Sequence, residues 1–104
     1  MTLAELLAEE ASELTGVELG AMPDGAVTWS RAGRQFATLS ADGETAAFAL
    51  DPVVATAATR TPDVSASPLG AGWVAFAPAE LDDHAADRAV AWFASAYRRA
   101  GPRD

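Results

Sequence analysis

The chain has no cysteine and a single histidine in its 104 residues, and it also lacks lysine, asparagine and isoleucine altogether. Without cysteine there is no disulfide, no thiolate metal site and no thiol nucleophile. The joint absence of lysine, asparagine and isoleucine fits a GC-rich coding sequence and says nothing of function. Long apolar runs are missing too, since none approaches the ~18 residues of a membrane span. The opening "MTLAELLAEEASEL" carries glutamates where a signal peptide needs a basic start and an unbroken apolar stretch. A cytoplasmic location with no membrane partner is therefore expected.

Basic charge is scarce as well. Seven arginines stand against fifteen acids, for a formal net charge of −8. Residues 1–24 hold six acids and no basic side chain, and the successive segments 1–24, 25–81 and 82–104 carry −6, −2 and 0. A net-negative surface repels phosphate over the Debye length, which disfavours DNA as a partner. A local basic face remains open to the middle and C-terminal segments, and a protein partner is equally open.

What is present is enough for one domain spanning residues 1–104. Half of the chain is hydrophobic, yet 26 of those residues are alanine. The bulky core must come from nine Leu, seven Val, four Phe, three Trp, two Met and one Tyr. Such a thin core makes each aromatic count, and Phe36 or Phe48, Trp73 or Phe76, and Phe93 are expected inside it.

Periodicity sets the elements. Leu3, Leu6, Leu7, Ala11 and Leu14 fall at helical spacing, with Glu5, Glu9 and Glu13 opposite, and predict a first helix over residues 2–14. Thr2 followed by Glu5 is a capping-box pattern, and Gly16 suits a helix stop. "GAMPDG" then reads as a linker. "AVTWSR" alternates, with Val27, Trp29 and Arg31 on one face, and pairs with "RQFATLS" across Arg31-Ala32-Gly33-Arg34. "TAAFAL" follows beyond Ala41-Asp42-Gly43, a strong tight-turn signal. Asp51 as N-cap and Pro52 at the first position begin a second helix, which Pro62 ends. "DVSASP" and "GWVAFAP" form a second hairpin across Leu69-Gly70-Ala71. The last helix runs from about Asp83 to Ala100, with Arg98 and Arg99 at the end its dipole favours and "GPRD" as its stop. The expected fold is α+β, an antiparallel sheet with helices in the order α-β-β-β-α-β-β-α.

Few stretches carry chemistry. Asp82, Asp83, His84 and Asp87 are potential metal donors, but a cap at Asp82 or Asp83 with first-turn acids explains them better, and one histidine without a second ligand cluster is poor material for a transition metal. A Ser–His–acid triad would have to use His84, and no Gly-x-Ser-x-Gly stretch accompanies it. "GAGW" enters a strand instead of a helix and lacks the setting of a phosphate loop. No catalytic residue, metal ligand or cofactor is expected, and the chain is read as non-enzymatic. Glu5, Glu9 and Glu13 are either a solvated face or a docking surface for a basic partner. Trp92, in line with Arg88 and Arg99, either stacks on a base or widens the buried stripe.

Taken together, Trp29, Gly33-Arg34-Gln35-Phe36-Ala37, Gly72-Trp73-Val74 and Ala96-Tyr97-Arg98 resemble, in order and spacing over roughly residues 26–100, the MmcQ/YjbR-like family of small bacterial proteins. Arg34 stands where that family's hairpin has a lysine, and "ELTGVELGAMPDG" replaces its usual Leu-Pro-Gly segment. The resemblance implies a secretion-chaperone-like architecture and a double-wing mode of DNA binding. On that reading Arg31, Arg34 and Arg60 would contact nucleic acid or another ligand, because arginine forks match phosphate oxygens. The alternative is a protein- or small-ligand-interaction module with no nucleic-acid role.

Overall fold

Every helix begins where a side chain can satisfy its first amides, which is how the sequence sets the frame of the sheet. The computed structural model describes residues 1–101; the remainder of the "GPRD" stop lies outside the described residues. Helix α1 spans Leu3–Ser12, with Thr2 and Glu5 forming the reciprocal capping box at 3.1 Å in each direction. Helix α2 spans Pro52–Ala58 behind an Asp51 cap, and α3 spans Asp83–Ala100 behind an Asp82 cap. The second helix ends at Ala58, earlier than Pro62, because Thr59 already takes the C-cap position.

Among the described residues six strands form one antiparallel sheet: β1 Val17–Ala21, β2 Val27–Arg31, β3 Arg34–Leu39, β4 Ala46–Ala49, β5 Val64–Ala66 and β6 Trp73–Phe76. Their order across the sheet is β1-β2-β3-β4-β6-β5. The α+β class with an antiparallel sheet is as expected, but the order gains a strand. Residues 17–21, of which only Gly20 and Ala21 belong to the expected linker and the rest to no expected element, pair along β2 from Val17↔Arg31 to Ala21↔Val27. The turn between them is built by Pro23-Asp24-Gly25: the Asp24 carboxylate accepts from the Ala26 amide at 2.9 Å, and Gly25 takes a φ of 94°.

All three helices cover one face. Helix α3 packs on β2, β3 and β4, α1 packs on α3, and α2 packs on β5 and β6. A β-bulge on β3 lets this face hold more bulk than strict alternation permits. Trp29 pairs with Ala37 while Ser30 pairs with Gln35, so Phe36 is the extra residue, and Phe36 and Ala37 are both fully buried. Phe93 is the hub: Trp29, Phe36 and Phe48 meet its ring at centroid distances of 5.5, 5.2 and 6.5 Å. Phe36, Phe48, Phe76 and Phe93 are all buried, whereas Trp73 is half-buried. The opposite face carries Thr28, Ser30, Gln35, Thr38, Ala47 and Ala75, the small and polar set of a sheet turned toward water.

Candidate functional site

Strand register fixes where the arginines lie. Arg31 and Arg34 face each other across the β2–β3 turn. Strand β4 runs back toward that turn, so α2 starts at the turn end of the sheet and finishes at the opposite end. Arg60 follows α2 beside β5, three strand spacings from β3, roughly 14 Å across the sheet. It is therefore diagonally removed from the other two. Helix α3 runs the other way and delivers the exposed Arg98 and Arg99 to the turn end. Acids share that end: Glu13 closes α1, Glu18 lies in β1 next to Arg31's pairing partner Val17, and Asp51 caps α2.

Arg31 and Arg34 differ in kind. Arg34 is exposed. Arg31 is half-buried, and its Nη1 donates to the Tyr97 carbonyl at 3.0 Å while its guanidinium carbon stands 3.9 Å from the Tyr97 ring centroid. It also lies over Gly101, where a Cβ would come within 2.6 Å of Nη1. The guanidinium thus binds a carbonyl in the last turn of α3, at the negative end of its dipole. Replacing Arg31 with alanine is expected to cost ~1–3 kcal/mol, from a charge-assisted hydrogen bond and a cation–π contact. Arg34→Ala is expected to fall within ~0.5 kcal/mol of zero, as exposed changes do. Urea denaturation of the two variants measures the difference, and equal stabilities would contradict the assignment.

The other motif positions are also engaged in packing. Trp29 and Phe36 belong to the cluster around Phe93, and Phe36 meets the Tyr97 ring at 5.9 Å. The Tyr97 hydroxyl donates to the Thr15 carbonyl, tying α3 to the connection before β1. Gly33, with a φ of 79°, makes the β2–β3 turn together with Ala32 at 53°. Gly72 sits against the Leu50 carbonyl at the start of β6, and Trp73 follows it. Trp92 packs on Phe48 and Phe76 at 6.4 and 5.3 Å, with the Arg88 guanidinium over the Phe76 and Trp92 rings. Arg88 in turn donates to the Pro62 carbonyl at 2.8 Å, while its buried Nε has no partner.

Acid chemistry is sparse. His84 is exposed in the first turn of α3, and the Asp82 carboxylate is occupied as the cap, accepting from the Ala85 amide at 2.8 Å. Among the described residues no group of three or more His, Asp or Glu side chains is placed to hold a metal ion, and no helix is long and apolar enough to cross a membrane. Hydrogen bonds from the Ser40 hydroxyl and then the Glu44 amide hold the Asp42 carboxyl below its ordinary range, which fixes the β3–β4 turn. Burial, then the charges of Glu13 and Glu9, push the Glu10 carboxyl up. The acids of α1 are thus crowded, and a nearby cation would relieve them.

Two surfaces that the sequence analysis did not anticipate lie on the uncovered parts of the sheet. On the helix-free face, Thr28, Gln35 and Thr38 floor a depression of about 230 Å³ rimmed by Met22 and by Leu69 from the β5–β6 loop. Met22 is 49% and Leu69 57% exposed. At the β1 edge, Ala8, Ala11 and Ser12 of α1 face Val17, Leu19 and Trp29 across a groove of about 220 Å³. The alternation of Val17, Leu19 and Ala21 ahead of a Pro-Asp-Gly turn was the signal in the sequence for this edge. No family model and no curated protein matches the chain.

Proposed function

We propose that the chain is a non-catalytic binding module that engages another protein through the uncovered side of its sheet. The observation that carries this reading is the pair of exposed apolar side chains, Met22 and Leu69, on the rim of the groove across the helix-free face. A polar floor with apolar rims suits a protein surface, which offers both backbone groups and side chains. The MmcQ/YjbR resemblance is compatible with it, and rests on the motif words around Trp29, Gly33, Phe36, Gly72, Trp73 and Tyr97.

Weak duplex DNA binding through the first hairpin is the second reading, favoured by the shared location of Arg31, Arg34, Arg98 and Arg99. Against it stand the engagement of Arg31 by Tyr97, the remoteness of Arg60 and the acids at the same end. Two or three phosphate contacts would give a salt slope of only about −2 to −3. Fluorescence anisotropy with a labelled duplex at about 25 mM salt tests the choice. The module reading predicts no saturable binding. Binding abolished by Arg34→Glu in a variant of unchanged stability would overturn it in favour of DNA.

A further inference from the structure

Strand β1 is one of the two outer strands of the sheet, and its hydrogen-bond phase can be read from its turn. The Met22 amide donates to the Ala26 carbonyl at 2.8 Å, so Met22 and Ala26 form a hydrogen-bonded pair. Narrow and wide pairs alternate along an antiparallel ladder. Gly20 and Glu18 therefore exchange bonds with Thr28 and Ser30 of β2. Val17, Leu19 and Ala21 are the wide pairs, and their N–H and C=O groups point away from the sheet.

The same three residues turn their side chains toward the helix face, because they pair with Arg31, Trp29 and Val27. Leu19 is 71% exposed there, beside the groove floored by Trp29 and walled by Ala8, Ala11 and Ser12. An edge strand with outward backbone groups and an exposed leucine is a template for one more strand. Natural edges are commonly blunted with lysine, proline or a bulge, and residues 17–21 contain none of these.

Charge selects the occupant. Helical phase places Glu5 and Glu9 next to Ala8 and Ser12, on the solvent rim of the groove. Glu18 projects on the opposite face of β1. Acids thus flank the edge on both sides, within a segment of six acids and no basic side chain. A second copy would set these acids against their own kind, whereas a basic strand would be attracted from either side. We infer that the free edge of β1, with the α1–β1 groove beside it, takes an extended basic segment of another protein as an added strand, its apolar side chains in the groove and its cations on the opposite face toward Glu18. Glu9 on the groove rim adds to the attraction. This rests on the reading of the chain as a protein-binding module, but seats the partner at the β1 edge instead of in the groove across the helix-free face, and gives it one chemistry.

The probe is the fluorescein-labelled peptide Arg-Val-Arg-Leu-Arg-Val-Arg, titrated with the full chain. A saturable rise in anisotropy is expected, absent for the counterpart with glutamate in place of arginine. Leu19→Pro removes one outward N–H without touching a bond to β2, and should weaken binding tenfold or more. The pair Glu9→Lys with Glu18→Lys, both exposed, should do the same with the fold intact, and so decides the matter should the proline variant fail to fold. No binding, or binding indifferent to the charge reversal, would overturn the proposal. A concentration-dependent dimer in sedimentation velocity, dispersed by Leu19→Pro, would reassign the edge to a second copy. Failure here leaves the module reading standing, since that reading is decided by the duplex titration.

Discussion

Phe93→Ala is expected to lower the stability of the protein by ~3–5 kcal/mol, a large share of the roughly 5–15 kcal/mol that holds a domain of this kind together. Phe93 is fully buried, and its ring is the common neighbour of Trp29, Phe36 and Phe48. These edge-on contacts join β2, β3 and β4 to α3, so the cavity would open at the centre of the large aromatic cluster the helices cover. Much of the remaining helix face of α3 is alanine, including Ala85, Ala89 and Ala96. Alanines have no longer side chain to swing into the space, and collapse would be incomplete. Urea denaturation should show a fall in midpoint with a preserved slope. A loss below ~1 kcal/mol would mean that Phe93 is not the hub.

Gly72→Ala is the second large effect. Gly72 adopts a φ of 82°, and a Cβ there would lie 2.5 Å from the Leu50 carbonyl oxygen. That oxygen belongs to backbone and cannot swing aside. The Leu50 amide also donates to the Gly72 carbonyl at 2.9 Å, which ties the end of β4 to the start of β6. Strain and overpacking together are expected to cost roughly 2–4 kcal/mol. Gly33→Ala is the control, since Gly33 has a similar φ of 79° with nothing within 4 Å of the added carbon. It should cost about 1–2 kcal/mol, the left-handed penalty alone. Equal losses in the two variants, measured by thermal melts, would remove the steric explanation.

How much of this was legible in the sequence follows from the range over which each signal acts. Local signals were read correctly. Thr2 with Glu5, Asp51 with Pro52, and the Asp82-Asp83 pair, of which Asp82 proves the cap, each act on the next few amides, and each marks a helix start. Period-two alternation placed Val27, Trp29 and Arg31 on one face, as the register has them. Strand β1 was missed because glycines and a proline surround its five residues, and those punctuate a chain as strongly inside a hairpin as in a linker. The Pro23-Asp24-Gly25 turn was the available clue.

Non-local effects were out of reach. The bulge that buries both Phe36 and Ala37 depends on pairing with β2, which no pattern within β3 reveals. Arg31 looked like a surface cation because its own segment gives it no partner. Its partner, Tyr97, lies 66 residues further along the chain. The same reasoning explains why Arg60 was grouped with the hairpin arginines: sequence distance gives no hint that α2 carries it to the far end of the sheet.

Which surface of the protein binds is read most directly from an amide-resolved correlation spectrum of the protein titrated in turn with the basic alternating peptide and with duplex DNA at low salt. With the peptide, the amides of Val17, Leu19 and Ala21, whose N–H groups point out of the sheet, should shift together and gain protection from hydrogen exchange. With the duplex, no cluster of amides should move. Shifts confined to residues 32–35, Arg98 and Arg99 on adding the duplex, with β1 silent towards the peptide, would contradict the account and return the function to the arginines.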